Sequence, residues 1–204
     1  MVHPKKIVKS AYDKIGSDYQ ATRRLDSQDV LSLHLLSDRL EKDSSVLDAG
    51  CGSGFPVSQM LAEKFDVTGV DFSLGQTGCA RTRCPNATFV CADLANLPFH
   101  DSTFEAIVSF YALIHIPREE HQQLIENFHR ILRPKGLVFL CMGSGDLPSE
   151  TADYLGAKMF WSHYDTRTNI GILEQSSFAV LSSEIVGDPT DSKASHLFVL
   201  AAKV

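Results

Sequence analysis

The sequence predicts an α/β fold: a doubly wound, mostly parallel sheet of seven strands, helices on both faces, and an antiparallel hairpin closing it. Three observations predict it. From Val46 onward, short apolar β runs alternate with helical stretches. The first run ends at three closely spaced glycines, Gly50, Gly52 and Gly54, in front of a helical pattern. The last two β runs, 179–186 and 196–202, have only turn residues between them. Strand–helix alternation argues for parallel strands joined by crossover helices. Strands that are apolar along their length argue for helices on both faces.

In chain order, residues 5–24 and 27–40 read as two leading helices, the second marked by Val30, Leu31, Leu33, Leu35, Leu36 and Leu40. A β run from Val46 reaches the glycines, and Val57, Met60, Leu61 and Phe65 then recur at helical spacing. Residues 66–71 form the second β run, and 73–84 a helix weakened by Gly75 and Gly78. The runs 87–92 and 104–111 follow. A helix opens at Pro117, where the missing amide donor costs nothing, with Glu119 and Glu120 in its first turn. Leu124, Ile125, Phe128, Ile131 and Leu132 give it one apolar face, and Arg133-Pro134-Lys135-Gly136 stops it before a fifth β run at 137–142. The segments are thus 1–42 as a helical lid, 46–141 as a binding core, 143–175 as a specificity segment, and 178–203 as a closing hairpin, all in one domain of 204 residues.

Composition narrows the function. Nineteen basic against twenty-five acidic residues give a formal net charge of −6, and no basic run exceeds a pair. Gripping a nucleic-acid backbone takes a concentrated basic face, so no nucleic-acid partner is expected. No stretch is apolar enough for a signal peptide or a membrane span. The five cysteines are odd in number and contain no CxxC pair, which suits free thiols in a reducing cytoplasm and no metal site.

The loop VLDAGCGSG, residues 46–54, carries the chemistry. Glycines let a ligand approach the backbone, and a helix N-terminus behind them offers free amides. A dinucleotide fingerprint needs Gly or Ala where this chain has Phe55, and there is no Gly-Lys-Ser/Thr for a nucleotide triphosphate loop. Asp48 precedes the glycines. Asp71 and Asp93 end the second and third β runs, at the carboxyl edge where open α/β sheets bind ligands. A carboxylate at Asp71 can accept from two vicinal ribose hydroxyls, and one at Asp93 from an exocyclic amine.

The ordered series VLDAGCGSG, VTGVDFS, FVCADLANLPF, FEAIVSFYALIHI and ILRPKGLVFL resembles the class I S-adenosylmethionine-dependent methyltransferases, most of all the small-molecule branch with the ubiquinone and menaquinone methyltransferases. The resemblance covers about residues 46–141 and implies a Rossmann-like fold with S-adenosyl-L-methionine as cofactor and S-adenosyl-L-homocysteine as product. It implies that Asp48, Gly50, Cys51, Gly52 and Gly54 frame the methionine part. Asp71 would hold the ribose and Phe72 the adenine, and Asp93 and Leu94 the adenine amine and face. Ser109 and Phe110 would lie beside the methionine part. Tyr12 and Tyr19, seven apart and so on one helix face, would either form a lid over the cofactor or simply dock the helix.

On the acceptor side, His115 in YALIHIP is a candidate for a direct catalytic role. His163 and Tyr164 belong to the cluster Met159-Phe160-Trp161-Ser162-His163-Tyr164-Asp165, either an aromatic packing patch on an edge helix or a substrate wall with a polar handle. Arg23 and Arg24 read as a solvated pair. The function expected is methyl transfer to a small molecule. The alternatives are a protein or peptide methyltransferase and a non-catalytic cofactor-binding module. The acceptor and the oligomeric state have no signature in the sequence.

Overall fold

A computed structural model describes residues 3–204; the first two residues of the leading segment lie outside the described part. Helix α1 (Pro4–Thr22) is capped by the His3 ring, which accepts from the Lys5 amide at 3.3 Å, and it starts on Pro4. Val8, Ala11 and Ile15 line its buried face. The second leading helix resolves into two short turns, α2 (Gln28–Leu31) and α3 (His34–Ser37), rather than one rod over 27–40. Between them the Ser32 hydroxyl donates to the Asp29 carbonyl at 2.6 Å, a local side-chain bond that competes with helix propagation. Val30, Leu33 and Leu36 still bury one apolar face.

Strand β1 (Ser45–Ala49), helix α4 (Val57–Leu61), strand β2 (Asp66–Asp71), helix α5 (Leu74–Arg83) and strand β3 (Thr88–Cys91) follow the expected alternation. Strand β4 (Phe104–Ser109) leads through short turns to helix α6 (His121–Ile131) and strand β5 (Leu132–Gly143). The helix expected from 117 begins with a tight turn at Arg118–Glu120, and β5 starts at Leu132, ahead of Pro134. Beyond β5 lie strands β6 (Leu147–Tyr154) and β7 (Ala157–His163), helix α7 (Thr166–Gln175), and strands β8 (Phe178–Gly187) and β9 (Ser195–Lys203).

Seven strands form one sheet in the order β3-β2-β1-β4-β5-β9-β8. β1 through β5 pair in parallel, and β9 runs antiparallel to both β5 and β8. Neighbouring residues feed opposite cores: Leu47, Ile107 and Val138 face α6, whereas Val46, Ala106 and Phe139 face α2, α3 and α4. Strands β6 and β7 pair only with each other, as an added hairpin packed on α1 through Ala157, Met159 and Phe160. The cluster from Met159 is therefore mostly strand, not an edge helix.

Candidate active site

The sheet order reverses direction between β1 and β4, and such switch points open a crevice at the carboxyl ends of the strands. The turn after β1 fills it with backbone. Gly50 has φ +86°, and a Cβ there would fall 2.2 Å from the Ala112 Cβ. Gly50 and Cys51 donate their amides to the Val70 carbonyl at 2.8 and 3.0 Å, which ties the turn to β2.

Asp71 completes that tie. Its Oδ2 accepts from the Gly52 amide at 3.0 Å and its Oδ1 from the Ser73 amide at 2.8 Å. Each carboxylate oxygen has two lone pairs, so each keeps one for a ligand. Burial pushes Asp71 up to about 6, against the pull of the two amides. Asp48 is buried beneath, accepts from the Ser58 hydroxyl at 2.5 Å, and is pushed by burial up to about 7.

One crevice of about 1040 Å³, open mouth included, collects most of the expected residues. Asp48, Gly50, Cys51, Gly52, Asp71 and Phe72 line it from the first two strand ends, and Asp93, Leu94, Phe110 and His115 from the next two. Tyr12 and Tyr19 close it from α1. Lys5 ties α1 to the strand ends, with ion pairs to Asp93 at 3.1 Å and Glu120 at 2.7 Å.

Four expected residues stand elsewhere. Gly54 does not line the crevice; a Cβ there would lie 3.2 Å from Cys84 Sγ and 3.3 Å from Ala80 Cβ, so it lets α5 pack on the loop. The Ser109 hydroxyl is buried and donates to the Ala49 carbonyl at 2.6 Å, sealing β4 to β1. Tyr164 lies under the Arg118 guanidinium, 4.7 Å from the ring centre, and against His121, away from the opening. His163 hydrogen-bonds the Gly145 carbonyl through Nδ1 at 2.8 Å and lines a second, adjoining chamber. Arg23 also departs from expectation: it is 7% exposed and ion-paired to Asp29, and only Arg24 is solvated.

His115 sits where the two chambers meet. Its Nδ1 lies 2.7 Å from the Phe160 carbonyl, which only accepts, so Nδ1 carries the proton. Burial holds its pKa down at about 4, so at neutral pH Nε2 is bare and accepts from the Tyr12 hydroxyl at 2.9 Å. Sequence reasoning missed Lys5, Gln76, Tyr111, Tyr154 and His196 among the lining residues. Only Tyr111, beside the expected Phe110, carried a positional hint.

Residues 46–136 match a family described as a methyltransferase domain. Over that stretch, from β1 into β5, the chain is similar to the methyltransferases. An uncharacterized methyltransferase of Oceanobacillus iheyensis is 30% identical over 138 residues, 68% of this chain and 62% of the relative. The malonyl-[acyl-carrier protein] O-methyltransferase of Pseudescherichia vulneris is 32% identical over 146 residues, 71% of this chain and 57% of the relative. The chain thus spans about three-fifths of the length of these curated relatives. The 1,6-didemethyltoxoflavin-N1-methyltransferase of Burkholderia thailandensis has a solved structure with a TM-score of 0.77 at 18% identity, covering 100% of this chain and 92% of that one. At that identity the likeness speaks for the fold. In this chain the turn after β1 and the ends of β2 and β3 share one crevice.

Proposed function

We propose that this protein is an S-adenosylmethionine-dependent methyltransferase that modifies a small-molecule acceptor. The observation that carries the reading is Asp71: a half-buried carboxylate at the end of β2, fixed by two backbone amides, with one lone pair on each oxygen left toward the crevice. That donor and acceptor set fits a ribose, whose vicinal hydroxyls need two acceptors side by side. Phe72 and Leu94 supply apolar faces for a base, and Asp93 an acceptor for its amine. The Gly50–Gly52 turn and Asp48 would hold the amino-acid end. When bound, S-adenosylmethionine supplies an electrophilic methyl group.

The chain's own part is positioning. Holding two reactants in line contributes about 7–11 kcal/mol. Tyr12 and Tyr19 exclude water from above, and the α1 helix that bears them serves as a lid. His115, neutral and weakly basic, acts as a positioning residue: it aims the Tyr12 hydroxyl at the junction of the chambers. The Tyr12 oxygen keeps lone pairs with which to orient an acceptor's N–H or O–H. The 143–175 segment, through β6 and β7, supplies specificity. Among the described residues no helix is long and apolar enough to cross a membrane.

Isothermal titration with S-adenosylhomocysteine tests the reading. Saturable binding that weakens at least about tenfold in Asp71→Asn supports it; no binding to the folded protein defeats it.

A further inference from the structure

The second chamber lies beyond His115, roofed by the β6–β7 hairpin and floored by the start of β9. Five of its rings form a closed circuit. Tyr12 meets Tyr19 at 5.5 Å between centroids, Tyr19 meets Tyr154 at 6.5 Å, and Tyr154 meets Trp161 at 5.8 Å. Trp161 then meets His115 at 5.9 Å, and His115 returns to Tyr12 at 5.5 Å. Three chain segments distant in sequence are needed to close it: α1, the turn after β4, and the added hairpin.

The charge around this collar is one-sided. Glu150, Asp153, Asp188 and Asp191 line the chamber. Its arginine, Arg23, is already matched by Asp29 and lies 4.6 Å from the Tyr111 ring centre, so it offers no open charge to an anion. Asp188 accepts from His196 Nε2 at 2.8 Å, and Glu150, Asp153 and Asp191 have no cationic side-chain partner. His196 itself is 8% exposed at its side chain, and its Nδ1 has no hydrogen-bond partner. Aromatic faces attract cations through their quadrupoles, and carboxylates add a long-range pull toward the mouth.

We propose that the second chamber is the acceptor site and that it takes a small organic cation, a compound with a flat apolar body and a protonated nitrogen. The proposal rests on the methyltransferase reading, because the collar shares Tyr12 and His115 with the cofactor crevice. The nitrogen sits among the rings and carboxylates, and the apolar body points toward the Tyr12–His115 junction.

The protein contains a single tryptophan, Trp161, and it stands in the collar, so its emission reports occupancy directly. The experiment titrates three probes of one shape, 2-phenylethylamine, 2-phenylethanol and 3-phenylpropionate, into the whole protein, with and without saturating S-adenosylhomocysteine. The expected result is saturable quenching by the amine, at least about tenfold tighter than by the alcohol, and none by the carboxylate. In Glu150→Gln/Asp153→Asn, amine affinity falls about tenfold while S-adenosylhomocysteine affinity stays within about twofold. Equal or tighter binding of the alcohol or the carboxylate overturns the proposal. So does an amine affinity unchanged in the double variant, or no quenching by any probe. Failure of S-adenosylhomocysteine to bind while the amine still quenches strikes the cofactor reading and leaves the cation site standing.

Discussion

Tyr12 and His115, 103 positions apart, are joined Oη to Nε2 at 2.9 Å, and the same imidazole donates from Nδ1 to the Phe160 carbonyl. One ring thus links the lid helix, the turn after β4 and the hairpin. Replacing Tyr12 by Phe keeps the packing but leaves a buried Nε2 without a donor. Such an orphaned acceptor costs about 1–3 kcal/mol. Urea unfolding of Tyr12→Phe is expected to show that loss, and an unchanged midpoint would contradict the pairing.

The same histidine sets an acid limit. Its folded pKa of about 4 lies below the ordinary value of 6.5, so the unfolded chain takes up the proton first. Its contribution is intact above pH 6.5 and erodes as pH falls toward 4, by about 1.4 kcal/mol per unit. Asp48 and Asp71 run the other way: with folded values of about 7 and 6, both raised, their burial penalty shrinks as pH falls. Comparing wild type with His115→Gln at pH 7 and pH 5 isolates the histidine. The stability gap between the two proteins should narrow at pH 5.

Asp71 gives ligand binding a pH dependence of its own. Only the ionised carboxyl accepts on both oxygens, so affinity for S-adenosylhomocysteine should rise with pH until it levels above about 6. Below that point it should fall about tenfold per unit. Asp71→Asn should flatten the profile and bind at least about tenfold more weakly at pH 7. Calorimetric titrations between pH 5 and pH 8 check both.

Gly50 admits no side chain. Gly50→Ala would place a methyl 2.2 Å from Ala112 in a backbone with φ +86°. Strain of that kind costs about 1–3 kcal/mol before any clash is relieved. The variant should melt several degrees lower and lose S-adenosylhomocysteine binding, whereas Gly78→Ala, which meets nothing within 4 Å, should do neither. Differential scanning calorimetry of the pair reads the contrast.

Lys5 fastens the lid. Its ion pairs to Asp93 and Glu120 are partly exposed, and such pairs contribute about 1 kcal/mol or less. Lys5→Met should speed amide exchange in the first turns of α1 by no more than about fivefold and leave β1 exchange unchanged.

The strand-end crevice was legible in the sequence because parallel strands buried on both faces must read as apolar runs, and each run ends where a ligand can reach. Asp71 and Gly50 stand where that logic puts them. The β6–β7 hairpin was not legible. It lies outside the main sheet, so β6 needs no apolar face, and Pro148, Ser149 and Glu150 are exposed. One signal was present: Leu155-Gly156, both at positive φ, is a two-residue turn of the kind that joins antiparallel strands. Ser109 and Gly54 stand off the crevice lining for another reason. A motif fixes which residue types gather at a strand end, but not whether a hydroxyl turns to a ligand or to the neighbouring strand.

The hairpin's isolation has an evolutionary reading. Residues 147–163 share no backbone ladder with the seven-stranded sheet, yet they carry Glu150, Tyr154 and Trp161. Such a cassette can be exchanged or rewritten without moving Gly50 or Asp71. A lineage can then rewrite the second chamber while the strand-end crevice stays as it is, and grafting 147–163 between homologues is the laboratory version of that history.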